Sequence, residues 1–495
     1  MNSDINGVSP VLRSIDRYPD RAALIFPRHE VASFGDVERQ STRYQKGLKS
    51  LGLTKGDTVL LGEAPEPRLF SFVLAALGLG IAVAVIEPWM PLARIEGVVL
   101  GLKPKLFLTG TLGRFWGFRV PSIRAIPTWT SLEKFDAAAL KNVGTSTFES
   151  IPVSAETLGL VAFTSGTTGK PKGVPRRHGY LLHQHRILSE ALHHDQHERP
   201  ELTIFTNFVF ANLASGRGSV IIPSKWRDRD IRWASSLTGS LAPETATMGP
   251  SFLRKLSTET GFAGLRSIHV GGALTDCSIF ESAFGRFKDV EFLHCYGSSE
   301  AEPVATIDAH EAVDRSRQAG YFQTLALGRP IAAIESRVEA STVWVTGDHV
   351  CPLYIGKAED IEDENRVNKQ QDDSGRVWHA MGDRIKVRDG LWWYAGRSGQ
   401  DVADFEFEQS LYAGLGSSLL FTKRDDTGLL EVYVQGDEAR IKKLERLIIE
   451  LRNEGSTVVA EPVRIFQTEI VRDHRHRARI DRVKSLKKAK REAVL

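Results

Sequence analysis

The chain has 495 residues, 42% of them hydrophobic, and a formal net charge of +3. The length predicts two or three domains with sizeable cores, and so small a net charge predicts no nucleic-acid partner. The widely spaced Cys277, Cys295 and Cys351 predict neither a disulfide framework nor a zinc-binding pair. We expect a cytoplasmic protein without a transmembrane segment, because the N-terminus lacks a signal-peptide pattern and glycines interrupt the most apolar stretch, 70 to 86.

The first 110 residues alternate predicted helices with apolar strands. A helix is predicted over 33 to 51, with Ser33 or Asp36 as its N-cap, and a second helix over 66 to 77. A continuous apolar segment at 80 to 88 indicates a strand that is buried on both faces. This alternation predicts an α/β fold in which helices cover both faces of a mostly parallel sheet.

The strongest motif follows an apolar strand predicted at 158 to 163. Its ten residues combine hydroxyls, glycines and lysines: Thr164, Ser165, Gly166, Thr167, Thr168, Gly169, Lys170, Pro171, Lys172 and Gly173. Glycines allow close backbone approach, successive N–H groups can surround an anion, and each lysine adds positive charge. The motif therefore predicts a polyphosphate-binding loop between two strands. A P-loop phosphotransferase is disfavoured, because Pro171 follows Lys170 where a Walker A loop requires a hydroxyl residue and a helix.

Two further predicted strands end in residues suited to a nucleotide. The strand at 265 to 270 ends in small residues that would let the backbone lie against a flat base: Gly271, Gly272 and Ala273. The strand at 290 to 296 leads into a mixed motif: Tyr296, Gly297, Ser298, Ser299 and Glu300. Tyr296 offers a ring for stacking, Ser299 a hydroxyl for a phosphate oxygen, and Glu300 a carboxylate for Mg²⁺. Ligands of open α/β sheets bind at such carboxyl ends of strands.

Together these motifs resemble those of the adenylate-forming superfamily, which includes acyl-CoA synthetases, peptide-synthetase adenylation domains and luciferases. The loop at 164 to 173 is similar to the superfamily's phosphate-loop signature, and 296 to 300 is similar to its Tyr-Gly-x-Thr-Glu motif. The segments at 328 to 330, 342 to 347 and 381 to 397 are similar to its next motifs. The resemblance implies ATP-dependent activation of a carboxylic acid to an acyl-adenylate with release of pyrophosphate, most often followed by thioester formation with CoA.

The resemblance also implies a role for each site residue. Phosphates would be bound by Thr164, Ser165, Gly166, Thr167, Thr168, Gly169, Lys170 and Lys172. Adenine would lie against Gly271, Gly272, Ala273, Tyr296 and Gly297, and the ribose would be bound by Asp383 and Arg397. Glu300 and Thr168 would hold Mg²⁺, and the catalytic set would be Lys172, Glu300 and Arg479.

The predicted domain boundary follows Arg397. Beyond it the charged residues increase and the predicted segments shorten to strands at 417 to 422 and 430 to 435 and a helix at 438 to 453. The resemblance implies a large N-terminal AMP-binding region of layered α/β subdomains over 1–395. It also implies a small, mobile α+β C-terminal domain over 396–495.

Two departures from the superfamily pattern leave alternatives open. The hinge sequence from Gly396 to Gln400 lacks the usual acid, because Asp401 comes one place late, and Arg479 stands where most members have a lysine. The segment at 473 to 482 is similar to that of olefin-biosynthesis β-lactone synthetases. A β-lactone synthetase acting on a 3-hydroxy fatty acid without CoA is therefore an alternative, and an ATP-binding homologue with impaired turnover is another.

The acid and other partners are less sharply predicted. The resemblance places the acyl pocket near 201 to 210, where three phenylalanines imply a fatty or hydroxy-fatty acid: Phe205, Phe208 and Phe210. An acyl-carrier protein could replace CoA as the acceptor. The histidines at 178 to 197 indicate a polar helix face and loop rather than a metal site. The basic tail at 484 to 491 predicts a solvated helix, with weak contact to a membrane surface as the alternative.

Overall fold

The structure is a computed structural model that describes most of the chain. The described residues are 5–29, 31–86, 90, 92–139, 147–164, 172–223, 225–319, 325–398, 402–415, 420–453, 463–471, 480 and 482–494. Within these ranges, no helix combines the length and the apolar character needed to cross a membrane.

Helices alternate with short strands through the first 110 residues, as the sequence predicts, and the pattern continues to residue 164. The helices are α1 (Ser9–Arg17), α2 (Phe34–Ser50), α3 (Pro67–Gly78), α4 (Leu92–Leu102), α5 (Thr111–Arg119), α6 (Pro121–Arg124) and α7 (Leu132–Ala139). The strands are β1 (Ala22–Ile25), β2 (Ala32–Ser33), β3 (Thr58–Gly62), β4 (Ala82–Val85), β5 (Leu106–Thr109), β6 (Thr128–Thr130) and β7 (Leu158–Thr164).

The start of α2 shows how local sequence fixes an element. Ser33 Oγ accepts a hydrogen bond from the Asp36 amide at 3.1 Å, and the Asp36 carboxylate accepts from the Ser33 amide at 2.9 Å. This reciprocal capping box satisfies two amides that the helix itself cannot pair, and it confirms the predicted N-cap.

The middle of the chain, 172 to 398, carries most of the strands. Its helices are α8 (His178–Ala191), α9 (Phe208–Ala214), α10 (Asp228–Ser235), α11 (Pro250–Leu256), α12 (Cys277–Arg286), α13 (Ala309–Gln318) and α14 (Ala358–Asn368), with short 3₁₀ turns at His194–Gln196 and Gly239–Leu241. Its strands are β8 (Lys172–Arg177), β9 (Glu201–Thr203), β10 (Ser219–Ile221), β11 (Thr245–Met248), β12 (Ser267–Gly271), β13 (Glu291–Ser298), β14 (Ala301–Asp308), β15 (Ala326–Pro330), β16 (Glu335–Glu339), β17 (Thr342–Thr346), β18 (Lys369–Gln371), β19 (Val377–Arg388) and β20 (Leu391–Arg397).

The last part of the chain forms a separate small sheet with helices. Its helices are α15 (Val402–Leu415), α16 (Glu438–Asn453) and α17 (Arg482–Leu486), and its strands are β21 (Leu420–Arg424), β22 (Leu430–Val434), β23 (Val463–Gln467) and β24 (Lys490–Val494). The predicted helix at 438 to 453 is confirmed, whereas α15 was not predicted. The buried Glu408 of α15 accepts hydrogen bonds from Thr422 of β21 and from Arg482 at the start of α17, so α15 is held by partners that are distant in sequence.

Three sheets organise the fold. In the six-stranded sheet, the order is β6-β5-β3-β4-β7-β8, and only the β7–β8 pair is antiparallel. The fourteen-stranded sheet has the order β16-β17-β19-β20-β15-β14-β13-β12-β11-β9-β10-β1-β2, with β18 paired to β19. The small sheet has the order β21-β22-β23-β24. These layers confirm the predicted α/β class with a large N-terminal region and a small C-terminal α+β domain.

The segment from 201 to 210 corrects one prediction about the acyl pocket. After β9 the chain turns into α9, where residues two positions apart point in nearly opposite directions. Phe208 therefore faces the sheet ends, while Phe210 packs on Phe70 of α3, with ring centroids 5.9 Å apart. The prediction that Phe210 lines the pocket is wrong because the local period changes from strand to helix.

Candidate active site

The predicted phosphate loop joins two paired strands. Thr164 at the end of β7 is opposite Lys172 at the start of β8 in an antiparallel register, which agrees with the predicted strand–loop–strand arrangement. Six predicted phosphate-binding residues lie outside the described residues: Ser165, Gly166, Thr167, Thr168, Gly169 and Lys170. Arg479 also lies outside the described residues.

Lys172 lies in a buried ion pair that the sequence did not predict. Its Nζ is 2.9 Å from Oε2 of Glu364 on α14, and the two side chains are only 8% and 4% exposed. Asn368 Nδ2 also donates to Glu364 Oε2 at 3.0 Å. Charges this deeply buried are stable only when paired and hydrogen-bonded, so Glu364 fixes the position of the Lys172 ammonium.

Tyr354 links this ion pair to the predicted metal ligand. Its hydroxyl donates to Glu300 Oε1 at 3.1 Å, and its ring lies between two ammonium groups, with Lys172 Nζ 4.3 Å and Lys369 Nζ 4.7 Å from the centroid. Both distances are within the range of cation–π attraction. Burial raises the pKa of Tyr354, and Glu300 raises it further, so the hydroxyl stays protonated as a donor.

The segment that carries Tyr354, residues 350 to 355, is here called the strap. The Cys351 amide donates to the Glu300 carbonyl at 2.7 Å. At its other end, Ile355 exchanges two backbone hydrogen bonds with Gly173 of β8, at 2.7 and 2.9 Å. The strap therefore joins the end of β13 in the large sheet to β8 in the six-stranded sheet, and it fixes Glu300 relative to Lys172.

Glu300 has the surroundings of a Mg²⁺ ligand. It is buried, Tyr354 occupies Oε1, and within the described ranges no donor contacts Oε2. Mg²⁺ in nucleotide sites usually takes one or two carboxylates, with substrate phosphates and waters completing its shell. One carboxylate oriented by Tyr354 fits that pattern, and the described residues contain no cluster of three protein ligands that would suit another metal.

The glycines at the end of β12 bring the backbone close to β13. Gly271 is opposite Cys295 in the parallel register, and a Cβ on Gly271 would be 2.6 Å from the Cys295 carbonyl oxygen. Gly272 has a φ of +80°, which side chains rarely adopt. Both glycines line one pocket together with Tyr296 and Gly297, so four residues of the predicted adenine site are brought together, with Ala273 following in the chain.

A second cluster contains the predicted ribose ligands. Asp383 and Arg397 are opposite each other on β19 and β20, and Asp383 Oδ1 is 3.0 Å from Arg397 Nε. The Tyr296 hydroxyl donates to Asp383 Oδ2 at 2.9 Å. A bulge after Asp383, with Gly382 at a φ of +70°, turns this carboxylate toward Tyr296.

The charges of this cluster stabilise one another. The Asp383 carboxylate raises the pKa of Arg397. Burial raises the pKa of Tyr296 well above its usual value, and the Asp383 charge adds to the effect. The Asp383 carboxylate thus has one cationic donor, Arg397, and one neutral donor, Tyr296. Such a carboxylate can accept further hydrogen bonds from hydroxyl groups.

Ser299 lies in the tight turn between β13 and β14, immediately before Glu300. β13 and β14 pair antiparallel on either side of this turn. The residues from Tyr296 to Glu300 therefore run from the pocket wall to the strap, and they connect all three parts of the site.

The pocket continues from the nucleotide residues into an apolar space. Its empty volume is about 420 Å³, including its opening to solvent, and its apolar walls are Leu188, Leu192, Phe205, Phe208 and Cys295. Two of the three phenylalanines predicted for the acyl pocket, Phe205 and Phe208, lie in this apolar wall. Glu302 and Pro303 complete the rim.

The far side of the pocket is polar, which the sequence did not predict. Thr247 and His269 line it. The Thr247 hydroxyl donates to the buried Glu201 carboxylate at 2.8 Å, His269 Nδ1 is 3.2 Å from the same hydroxyl, and His269 Nε2 is 2.9 Å from Ser267 Oγ. Burial lowers the pKa of His269 to about 3, so the ring is neutral. Because Thr247 has a single hydroxyl proton, it accepts from His269 and keeps one lone pair for a ligand.

Sequence reasoning missed Tyr354, Glu364, Thr247 and His269. The Lys172–Glu364 contact joins residues 192 positions apart, and Glu364 lies in no recognisable motif. Thr247 and His269 lie within short buried strands, where a polar residue between apolar neighbours is the available signal.

Comparison with known proteins gives one family. The model of the AMP-binding enzyme family matches residues 11–343. Nonribosomal peptide synthetase sidE of Aspergillus fumigatus is 24% identical over 351 residues, which are 69% of this chain and 15% of that protein. The chain spans between 4% and 24% of the lengths of four such curated relatives.

Solved structures match over almost their full length. O-succinylbenzoate coenzyme A synthetase (MenE) from Bacillus subtilis, solved with AMP, gives a TM-score of 0.77 at 17% identity and covers 98% of this chain and 99% of that one. ATP-bound MatB from Rhodopseudomonas palustris gives a TM-score of 0.77 with the same coverage. At 17% identity, the similarity to these solved structures establishes only the fold. The family is established by the family model, which matches more than half of the chain. The chain belongs to the AMP-binding enzyme family, the adenylate-forming superfamily that its motifs resemble.

Proposed function

We propose that the chain uses ATP to activate a carboxylic acid as an acyl-adenylate, with release of pyrophosphate, and then transfers the acyl group to the thiol of CoA. One observation carries the proposal: a single pocket joins the glycine and Tyr296 wall to the apolar wall of Phe205 and Phe208. An acid in the apolar part would present its carboxylate to a nucleotide on the glycine wall. That proximity is what attack on the α-phosphorus of ATP requires.

The proposed roles follow the positions of the groups. Asp383 and Arg397 would bind the ribose, Tyr296 would stack on adenine, and Lys172 would neutralise phosphate charge together with the loop after Thr164. Bound to Glu300 and Thr168, Mg²⁺ would supply charge neutralisation on the phosphates. Arg479 would stabilise the anionic phosphorus centre from the C-terminal domain, whose proposed bounds are 396–495.

The pocket supports an acid with an apolar body and a hydroxyl group. The aromatic and aliphatic walls suit a hydrocarbon chain, while the free lone pair of Thr247 suits a donor at the far end. A hydroxy-fatty acid satisfies both, whereas a plain fatty acid would leave the remaining lone pair of the buried Thr247 hydroxyl without a donor and lose affinity.

CoA is proposed as the acceptor because the fold matches that of O-succinylbenzoate coenzyme A synthetase (MenE) over 98% of this chain. The peptide-synthetase relatives support a carrier protein as the alternative thiol. Both acceptors attack the same acyl-adenylate, so the choice between them does not alter the first half-reaction.

The test is pyrophosphate release from ATP and Mg²⁺ across matched pairs of hydroxylated and plain acids of equal length, with and without CoA. We expect acid-dependent release that accelerates with CoA and favours the hydroxylated member of a pair. If CoA does not change the rate of pyrophosphate release, the acyl group is transferred to an acceptor other than CoA. ATP binding without release with any acid would overturn the proposal.

A further inference from the structure

A basic and aromatic ridge lies on the outer face of α5, far in sequence from every motif of the site. Phe115 is 63% exposed and Phe118 is 80% exposed, three positions apart on one helix face. Arg114 and Arg119 flank them and are also exposed. These four residues are here called the α5 ridge.

The inward face of α5 explains why the ridge faces outward. Gly113 and Gly117 lie against Thr109 of β5 and Trp129 of β6, and a Cβ on either glycine would overlap those side chains. The helix is therefore packed closely on the sheet through these two glycines, and the neighbouring Trp116 is partly covered. Both phenylalanines occupy the solvent face while the positions toward the core are glycines, so the ridge is not a displaced piece of core.

The ridge lies in a region of unbalanced positive charge. The 36 residues from 97 to 132 contain no Asp or Glu, and their five cations are Lys103, Lys105, Arg114, Arg119 and Arg124. Lys105 pairs with Asp57 at 2.8 Å, but none of the three arginines forms an ion pair within the described ranges. Two carboxylates that contact this segment, Glu63 and Glu96, already accept hydrogen bonds from the Leu132 amide and from Ser122.

We propose that the α5 ridge docks the protein on an anionic membrane surface. The phenyl rings would enter the interface between headgroups and acyl chains, while the arginines pair with lipid phosphates. Interfacial helices typically combine these two kinds of contact. The helix lies at the β6 edge of the six-stranded sheet. A convex ridge can insert into a fluid surface, whereas a folded acidic protein would need a matching groove.

The test is flotation of the purified protein with vesicles of phosphatidylcholine alone or of phosphatidylcholine and phosphatidylserine. We expect binding to the anionic vesicles that weakens as salt is raised, and much weaker binding to the neutral ones. Phe115→Ser/Phe118→Ser should reduce the apparent partition constant at least tenfold. Arg114→Gln/Arg119→Gln should reduce the apparent partition constant on anionic vesicles about twenty-fivefold, at about fivefold per arginine. The same double variant should bind neutral vesicles as the wild type does.

Ile449→Ser is the matched control, because Ile449 on α16 is 45% exposed and has basic neighbours such as Arg446. It should bind vesicles like the wild type, and all variants should keep the wild-type unfolding temperature. The proposal is overturned if the wild type fails to float with anionic vesicles. It is equally overturned if the phenylalanine double variant floats like the wild type, or if Ile449→Ser loses as much binding. Because flotation needs neither ATP nor acid, its result is independent of the proposed catalysis.

Discussion

Replacing Tyr354 by Phe removes a single hydroxyl from the centre of the site. That hydroxyl donates to Glu300 Oε1 at 3.1 Å, and Tyr354 is 3% exposed. The ring would stay between Lys172 and Lys369, since the cation–π contacts do not involve the hydroxyl. The variant therefore tests one contact, the one that orients the predicted metal ligand.

The expected size of the effect on Mg²⁺ binding follows from the negative charge of the acceptor, Glu300. A hydrogen bond to a charged group contributes about 1.5–3 kcal/mol, which corresponds to a factor of about 10 to 150. Second-layer groups around metal ligands typically change metal affinity by about 10 to 100 times. We expect Tyr354→Phe to raise the Mg²⁺ concentration for half-maximal pyrophosphate release at least tenfold, because Glu300 is no longer held with Oε2 free.

The assay is a Mg²⁺ titration of pyrophosphate release at saturating ATP and acid. Tyr433→Phe is the matched control: Tyr433 is equally buried and donates to Glu431 Oε2 at 2.8 Å in the small sheet, away from the site. It should lower the unfolding temperature and leave the Mg²⁺ requirement unchanged. If the two variants behave alike, Tyr354 supports only the fold and the assignment of Glu300 to the metal is refuted.

Three further predictions concern buried charges and protons. Glu364→Gln should lower the free energy of unfolding, measured in urea, by about 3–5 kcal/mol, because Lys172 keeps a buried charge without its partner. Combining Glu364→Gln with Lys172→Met should recover much of this loss. If the losses of the two single variants simply add in the double variant, the two residues are not coupled. His178 Nδ1 accepts the Gly7 amide at 2.9 Å, and burial lowers the pKa of His178 to about 4 from an unfolded value of about 6.5. The unfolded state therefore binds more protons between these values, and stability falls with decreasing pH by up to about 1.4 kcal/mol per pH unit. His178→Asn should flatten that slope in unfolding measurements from pH 6.5 to 4, and an unchanged slope would contradict the assignment. Asp383→Asn keeps a hydrogen-bond acceptor for Tyr296 but loses the negative charge. Equilibrium titration should therefore show that the variant binds ATP about tenfold more weakly, or weaker still. If the variant binds ATP as tightly as the wild type, Asp383 does not bind the ribose.

Local sequence signals predicted the elements with the least ambiguous chemistry. α2 begins at a capping box and α16 has regular helical spacing, and each lies where the sequence predicts it. The residues at 271 to 273 and 296 to 300, predicted to bind the nucleotide, lie at or just after the ends of the neighbouring parallel strands β12 and β13. Parallel strands bring their carboxyl ends to one edge of a sheet.

Contacts between distant parts of the chain were beyond local signals. The strap has no periodicity, so nothing in its sequence indicates that Tyr354 contacts two lysines and donates a hydrogen bond to Glu300. Phe210 was misplaced because the change from strand to helix at 208 reverses the side of alternate residues. α15 was not predicted, and its buried Glu408 accepts hydrogen bonds from Tyr412 of the same helix and also from Thr422 of β21 and Arg482 of α17.

The central claim is that a carboxylate oxygen attacks the α-phosphorus of ATP in this pocket. The most direct test supplies an acid with both carboxylate oxygens labelled with ¹⁸O, together with ATP, Mg²⁺ and CoA, and analyses the nucleotide product by mass spectrometry. Attack at the α-phosphorus forms a bridging ¹⁸O–P bond, and the thiol then breaks the acyl C–O bond. The account predicts AMP carrying one ¹⁸O atom and unlabelled pyrophosphate. Unlabelled AMP, or ADP with label in inorganic phosphate, would contradict it.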